Sequence, residues 1–61
     1  MYRYEVWCEG NCLTEDDGFE TEEEANEAGW EAAEDKIQYW KEIDAWRGET
    51  LADLDVRVKE Y

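Results

Sequence analysis

The stretch TEEEANEAGWEAAEDKIQYWKEID, residues 21–44, decides the fold because it is the longest segment with one clear periodicity. Thr21 and Glu24 fit a capping box, in which the Thr side chain accepts a backbone hydrogen bond and the Glu side chain returns one. The glutamates of the first turn also suit the positive end of a helix dipole. We predict one long helix that begins at Glu22 and ends near Asp44 or Trp46.

At about 100° per residue, this helix has one broad apolar face and an opposite acidic arc. Small side chains fill the N-terminal half of the apolar face, which favours close packing on a sheet. Lys36 falls within that face, where either its stem snorkels toward water or the helix bends. The apolar face holds Ala25, Ala28, Gly29, Ala32, Ala33, Tyr39, Trp40 and Ile43, with Trp30 and Ile37 at one edge. The acidic arc holds Glu23, Glu24, Glu27, Glu31, Glu34, Asp35, Gln38 and Glu42.

The chain before the helix predicts a β-hairpin. Tyr2, Tyr4, Val6 and Cys8 alternate with Arg3, Glu5 and Trp7, the period-two pattern of a half-buried strand. Gly10-Asn11 suits a two-residue turn with Gly first. The return strand is expected to be short, Cys12 to about Glu15, with Leu13 opposite Cys8. The turn residues of Glu15–Gly18 should then end it.

The chain after the helix predicts one more strand. Gly48 is predicted to terminate the helix, with Arg47 in the last turn. Leu54, Val56 and Val58 then alternate with charged residues as a strand does. The expected fold is a single α+β domain over residues 1–61, ββαβ. Its three-stranded antiparallel sheet has order 2-1-3, with the helix on one face.

Size and charge exclude several classes of function. The chain has 61 residues and a formal net charge of −13, from 19 acids and 6 bases. Direct nucleic-acid binding needs a basic surface, and anionic membranes attract basic segments, so neither is expected. Nothing resembles a signal peptide or a membrane span, and we expect a cytoplasmic protein. A partner, if there is one, should be basic.

The charge is concentrated in the first half of the chain. Residues 4–35 contain thirteen acids and no Lys or Arg, and eleven of these acids lie between Glu15 and Asp35. Residues 36–61 carry five bases and six acids. Like charges recur at i,i+4 on the helix, each pair unfavourable by about 0.2–0.5 kcal/mol. A salt-adapted or merely highly charged surface would spread its charge, so this pattern favours a contact surface.

We predict that this surface imitates the charge of a phosphate backbone and occupies a basic groove. The helix carboxylates, a loop from Glu15 to Glu20, and Glu5 or Glu9 would form a double line of charge. Trp7, expected on the uncovered sheet face, is a further contact candidate for a partner or for a second copy. The proposed partner-binding residues are Glu15, Asp16, Asp17, Glu20, Glu23, Glu24, Glu27, Glu31, Glu34, Asp35 and Trp7.

In size, charge and layout, the whole chain resembles small acidic phage-encoded nucleic-acid mimics, of which anti-CRISPR proteins are the nearest group. No motif carries this resemblance. It implies an inhibitor without enzymatic activity that blocks a nucleic-acid-binding protein or CRISPR effector complex in the host cytoplasm, as a monomer or homodimer. Two alternatives stay open: an acidic adaptor or antitoxin-like module that neutralises a basic protein, and a salt-adapted or calcium-modulated small domain.

Other chemistries find little support in the residues. The chain has no His and no Ser, and its two cysteines, Cys8 and Cys12, lack the partners of a zinc site or a thiolate pair. The segment from Leu13 to Glu24 comes near a calcium loop, but Leu13 stands where the first carboxylate belongs. We expect no catalysis, no cofactor, no structural metal, and reduced thiols rather than a disulfide.

Overall fold

A computed structural model describes residues 1–61. Strands β1 (Tyr2–Cys8) and β2 (Asn11–Phe19) precede helix α1 (Glu22–Glu42), and a single 3₁₀ turn (Leu51–Asp53) leads into strand β3 (Asp55–Glu60). The three strands form one antiparallel sheet in the order β2-β1-β3, and α1 packs on one face of it. The predicted α+β fold, strand order and helix position are therefore confirmed.

The hairpin turn lies one residue earlier than predicted. Glu9 and Gly10 form it, with φ values of 50° and 82°. A two-residue turn with positive φ at both positions matches the twist of the flanking strands, and Gly is well suited to the second position. Cys8 consequently pairs with Asn11 rather than with Leu13.

Strand β2 is longer than predicted, because Glu15–Gly18 lies within it and not in a turn. Two register shifts separate β2 from an ideal ladder with β1. Leu13 is the extra residue of the first shift, and it packs against the core. At the second shift, near Gly18 with φ of 88°, the strand continues to Phe19, whose ring centroid lies 5.7 Å from that of Tyr4. Bulges of this kind re-aim side chains that strict alternation would misplace.

Helix α1 begins as predicted and ends early. Thr21 Oγ1 accepts a hydrogen bond from Glu24 N at 3.1 Å, while no bond returns from the Glu24 carboxylate, so half of the predicted capping box forms. The helix stops at Glu42 because Asp44 takes the left-handed conformation, with φ of 59°. Gly48 also has a positive φ, but it lies in the following loop and does not terminate the helix.

The core lies between the small face of α1 and the centre of the sheet. Ala25, Gly29 and Ala33 are buried on the helix, against Tyr4, Val6 and Leu54. Gly29 permits the closest approach, since a Cβ built there would lie 2.5 Å from Val56 Cγ1. This contact sets the distance between helix and sheet.

The C-terminal part of the predicted apolar face is not fully buried. Tyr39 and Ile43 are each 52% exposed. Lys36 is half-buried in an unbroken helix, with its ammonium 5.7 Å from the Tyr39 ring centroid, in agreement with snorkelling.

Candidate partner-binding surface

Six of the eight carboxylates of α1 form an exposed band, here called the acidic ridge. Carboxylates three or four residues apart on a helix have Cβ atoms about 5–6 Å apart, which sets the spacing along the ridge. Hydrophobic packing of the opposite face holds this band toward solvent, because Ala25, Gly29 and Ala33 face the sheet. The ridge consists of Glu23, Glu24, Glu27, Glu31, Glu34 and Asp35, all exposed.

Strand β2 adds carboxylates beside the ridge. Asp16 lies opposite Tyr4 in the ladder, on the sheet face that carries the helix. Burial raises the pKa of Tyr4, and the charges of Asp16, Asp35 and Glu31 raise it further. Asp16 of β2 and the helix carboxylates Glu31 and Asp35 therefore all act on the same side chain from two elements.

The segment from Glu15 to Glu20, predicted as a loop, lies largely in strand β2, which ends at Phe19. Asp17 and Glu20 are exposed, and Asp17 N donates a hydrogen bond of 2.9 Å to Asp16 Oδ1. Gly18 N donates a hydrogen bond of 2.9 Å to the Tyr61 hydroxyl, which ties this end of β2 to the end of the chain. Glu15, Asp16 and Asp17 are consequently carried by β2, and Glu20 follows the strand.

Glu15 points the other way, onto the sheet face that α1 leaves uncovered, here called the open face. It lies opposite Glu5, and its Oε2 is 2.6 Å from Arg3 Nη2. This ion pair neutralises Glu15. Of the predicted contact acids, Glu15 is thus separated from the ridge by the sheet itself.

All four ion pairs of the molecule lie on the open face. Arg3 also lies 3.7 Å from Glu5, Lys59 Nζ lies 3.3 Å from Glu5 Oε1, and Arg57 Nε lies 2.7 Å from Asp55 Oδ2. None of the four involves a carboxylate of α1. The other ten of the eleven acids between Glu15 and Asp35 therefore have no cationic partner within the molecule.

Glu5 is the centre of the open-face network and is only 9% exposed. The hydrogen bond from Trp7 Nε1 to Glu5 Oε1, 3.0 Å long, is the main cause that holds the pKa of Glu5 below its usual value. Burial opposes this effect, and the Lys59 and Arg3 cations add to it. Glu5 is therefore bound within the network and does not extend the line of exposed charge. Glu9 is an exposed residue of the hairpin turn.

Trp7 lies on the open face, as predicted, and takes part in this network. Its ring is half-buried beneath the Arg57 guanidinium, whose Cζ lies 4.7 Å from the ring centroid. Its indole N–H is used by Glu5. The open face is thus lined by paired charges around an aromatic ring, and a partner at Trp7 would have to contact or displace Arg57.

The sequence reasoning missed this network, because strand order alone does not give the register of β3 against β1. In the observed register, residues of β1 and β3 whose numbers sum to 62 lie opposite one another. Arg57 then faces Glu5, and Lys59 faces Arg3. Alternation along both strands puts these side chains on the same face, where charged residues of opposite sign stabilise a sheet.

The structure contains no group of three or more Cys, Asp or Glu side chains arranged to hold a metal ion. The segment considered as a calcium loop is largely strand β2, so it lacks the geometry of such a loop. Both cysteines are free, with Cys8 half-buried and Cys12 exposed. Burial raises the pKa of the Cys8 thiol, and Glu9, Glu49 and Asp53 add to the shift.

Comparisons with protein-family models, curated proteins and solved structures find no match to this chain. No helix of the structure has both the length and the apolar character that crossing a membrane requires. Fold and surface together define a small α+β domain with an exposed acidic helix.

Proposed function

We propose that this protein is an inhibitor that occupies a basic nucleic-acid-binding site of another protein with its acidic ridge, as an anti-CRISPR or related phage inhibitor does. The observation that carries the proposal is the separation of charge. Every ion pair lies on the open face, while the carboxylates of α1 remain exposed and unpaired.

The clustering of carboxylates without cationic partners lowers the stability of the fold, and selection for folding alone would remove it. Glu23–Glu27, Glu27–Glu31 and Glu31–Asp35 are like-charged at i,i+4, each unfavourable by about 0.2–0.5 kcal/mol. The three basic residues beyond the helix midpoint, Lys36, Lys41 and Arg47, make no ion pair with these acids. The molecule therefore keeps its charges available for an external cation.

The axial density of charge supports a nucleic-acid mimic over a generic acidic surface. Seven carboxylates lie between Glu22 and Asp35, over about 20 Å of helix axis. This is one charge per ~3 Å, close to the ~3.4 Å per phosphate of one nucleic-acid strand. Asp16 adds charge beside this line from a second element. A groove lined by Lys and Arg would release counterions on binding either polyanion.

The test begins with capture of a partner from host lysate by the immobilised chain, followed by competition on the captured protein. Single-stranded and duplex oligonucleotides are titrated against the complex, and the affinity of the chain is measured over a range of salt concentrations. We expect mutual exclusion with nucleic acid and a steep loss of affinity with salt.

The variant that tests the ridge is Glu27→Lys/Glu31→Lys/Glu34→Lys. A matched control, Glu9→Lys/Glu42→Lys/Glu60→Lys, changes the net charge equally at exposed positions outside the ridge. We expect the ridge variant to lose binding while the control keeps most of it. Equal losses in both would show that only net charge matters, and mimicry would be wrong.

Two further outcomes separate the alternatives. If nucleic acid does not displace the chain from a captured basic protein, the acidic adaptor or antitoxin-like module is favoured. If the ridge variant keeps full affinity and Trp7→Ala loses it, then the interface is the open face and the ridge is only a solvated surface. In that case, the ligand that the captured protein normally binds is identified separately.

A further inference from the structure

Strand β3 is an unpaired edge that has no bulge, although four of its six residues are charged. It is the last strand of the sheet, with β1 as its only neighbour. Its six residues pair with β1 in continuous register, whereas β2, at the other edge, carries two register shifts. Bulges protect an edge and a regular strand invites pairing, so β3 is the edge that is open to another strand.

The free backbone groups of β3 can be assigned from the ladder. Tyr61 N donates a hydrogen bond of 3.0 Å to Met1 O, and Met1 continues the register opposite Tyr61. Hydrogen-bonded pairs alternate along an antiparallel ladder, so the odd-numbered residues of β3 bond to β1. Val56, Val58 and Glu60 therefore present their N–H and C=O groups away from the sheet.

The charges of β3 are complementary to those of a second β3. Asp55 and Glu60 balance Arg57 and Lys59, so this strand is neutral in a strongly acidic molecule. If two copies pair antiparallel about Val56, Val56 faces Val56 and Asp55 of each copy faces Arg57 of the other. Cross-strand pairs of opposite charge stabilise a sheet, whereas pairing about Val58 would place Arg57 opposite Lys59.

The helix adds apolar surface above the same edge. Gly29 lies directly over Val56, and Trp30, the next residue, is 36% exposed. Trp30 lies two turns before Ile37 on one flank of α1, and Ile37 lines a hollow with Leu51, just before β3. The opposite flank faces Thr14 of β2. A two-fold axis between the Val56 residues of the two copies would therefore bring their Trp30 side chains toward each other.

We propose that the chain forms a homodimer through β3, with antiparallel pairing centred on Val56, a continuous six-stranded sheet and Trp30 of both copies at the interface. Both helices then lie on the same side of the sheet. The proposal rests on the edge, its charges and Trp30. Glu34 of the acidic ridge lies on the same flank of α1 as Ile37, so the two ridges lie side by side in the dimer.

Cysteine cross-linking tests the register. In a Cys8→Ala/Cys12→Ser background, one chain carries Asp55→Cys and another carries Arg57→Cys. These positions form a non-hydrogen-bonded pair with Cα atoms about 4.5 Å apart, within disulfide range. Mild oxidation of the mixture should give a disulfide-linked dimer, and each chain alone should not. Glu15→Cys, on the open face at the other edge, replaces one partner as the matched control and should not cross-link.

Sedimentation of the unmodified chain tests the dimer itself. Association should strengthen with salt, because each copy has a net charge of −13 that opposes association. Trp30→Ala should weaken association by about tenfold or more, as expected for a buried interface Trp. Trp46→Ala, at an exposed Trp in the loop after α1, should not.

A monomer at millimolar concentration and high salt would overturn the proposal. Cross-linking of the Arg57→Cys chain alone would also overturn it, because that result requires an axis at Arg57. The salt dependence of this association has the opposite sign to that expected for a basic partner on the ridge. Failure of one proposal is therefore distinguishable from failure of the other.

Discussion

Replacing Gly29 with Ala gives the sharpest test of how the helix is seated on the sheet. On helix propensity alone, Gly→Ala in a helix interior should stabilise the protein by about 1 kcal/mol. The structure predicts the opposite sign. The new Cβ would lie 2.5 Å from Val56 Cγ1 and 3.2 Å from Tyr4 Cβ.

These neighbours have little freedom to move. Val56 is β-branched and has few rotamers, and Tyr4 is 7% exposed and packed against Phe19. Overpacking a close-packed core costs about 1–3 kcal/mol. After the propensity gain of about 1 kcal/mol is subtracted, Gly29→Ala should lower the free energy of unfolding by up to about 2 kcal/mol.

Urea denaturation of four chains measures this effect as a double-mutant cycle: parent, Gly29→Ala, Val56→Ala, and both together. In the Val56→Ala background the closest obstructing atom is absent, so Gly29→Ala should be neutral or stabilising. The coupling energy should be about 0.5–3 kcal/mol, the range for residues in contact. A Gly29→Ala chain more stable than the parent, with no coupling to Val56, would refute the close approach described above.

Three further predictions concern charge. Glu27→Gln/Glu31→Gln should raise the free energy of unfolding by a few tenths of a kcal/mol per relieved i,i+4 pair, and thermal denaturation should show the gain shrinking as salt rises. Glu5→Gln should destabilise the protein at neutral pH. The pKa of Glu5 is lowered in the folded protein, so its carboxylate stabilises the fold at pH values above the pKa of Glu in the unfolded chain, about 4.3. That difference should vanish as pH falls through the folded pKa, and a pH-independent difference would contradict the network at Glu5. Iodoacetamide should label Cys12 before Cys8, because burial raises the Cys8 pKa, and mass spectrometry after short exposure measures the order.

The sequence predicted those elements whose side chains carry a strong period. Strands β1 and β3 alternate clearly, and the apolar face of α1 recurs over five turns, so strand order and helix position followed. Strand β2 has few apolar residues, and Thr14–Gly18, which separate Leu13 from Phe19, show no apolar alternation. Two register shifts with β1 also fall in this strand. The length of β2 is set by its pairing with β1, and the residue pattern of β2 alone does not predict that pairing.

The helix end and the turn were misplaced for a related reason. Gly48 is the strongest stop signal nearby, yet Asp44 adopts the left-handed conformation first. Likewise, Gly10 can occupy either position of a two-residue turn, and a shift of one residue changes every partner along β2. The acids of the ridge could be placed from helical periodicity, whereas the pairing of Glu15 with Arg3 required the actual register of the sheet.

The confinement of all ion pairs to one side of the sheet gives the molecule a permanent electric dipole. Balanced charge lies beneath the sheet, and uncompensated negative charge lies above it on α1. A positively charged surface at a distance comparable to the Debye length, about 8–10 Å, therefore exerts a torque as well as an attraction. The molecule turns its helix toward such a surface before contact, so a larger share of diffusional encounters begins in one orientation.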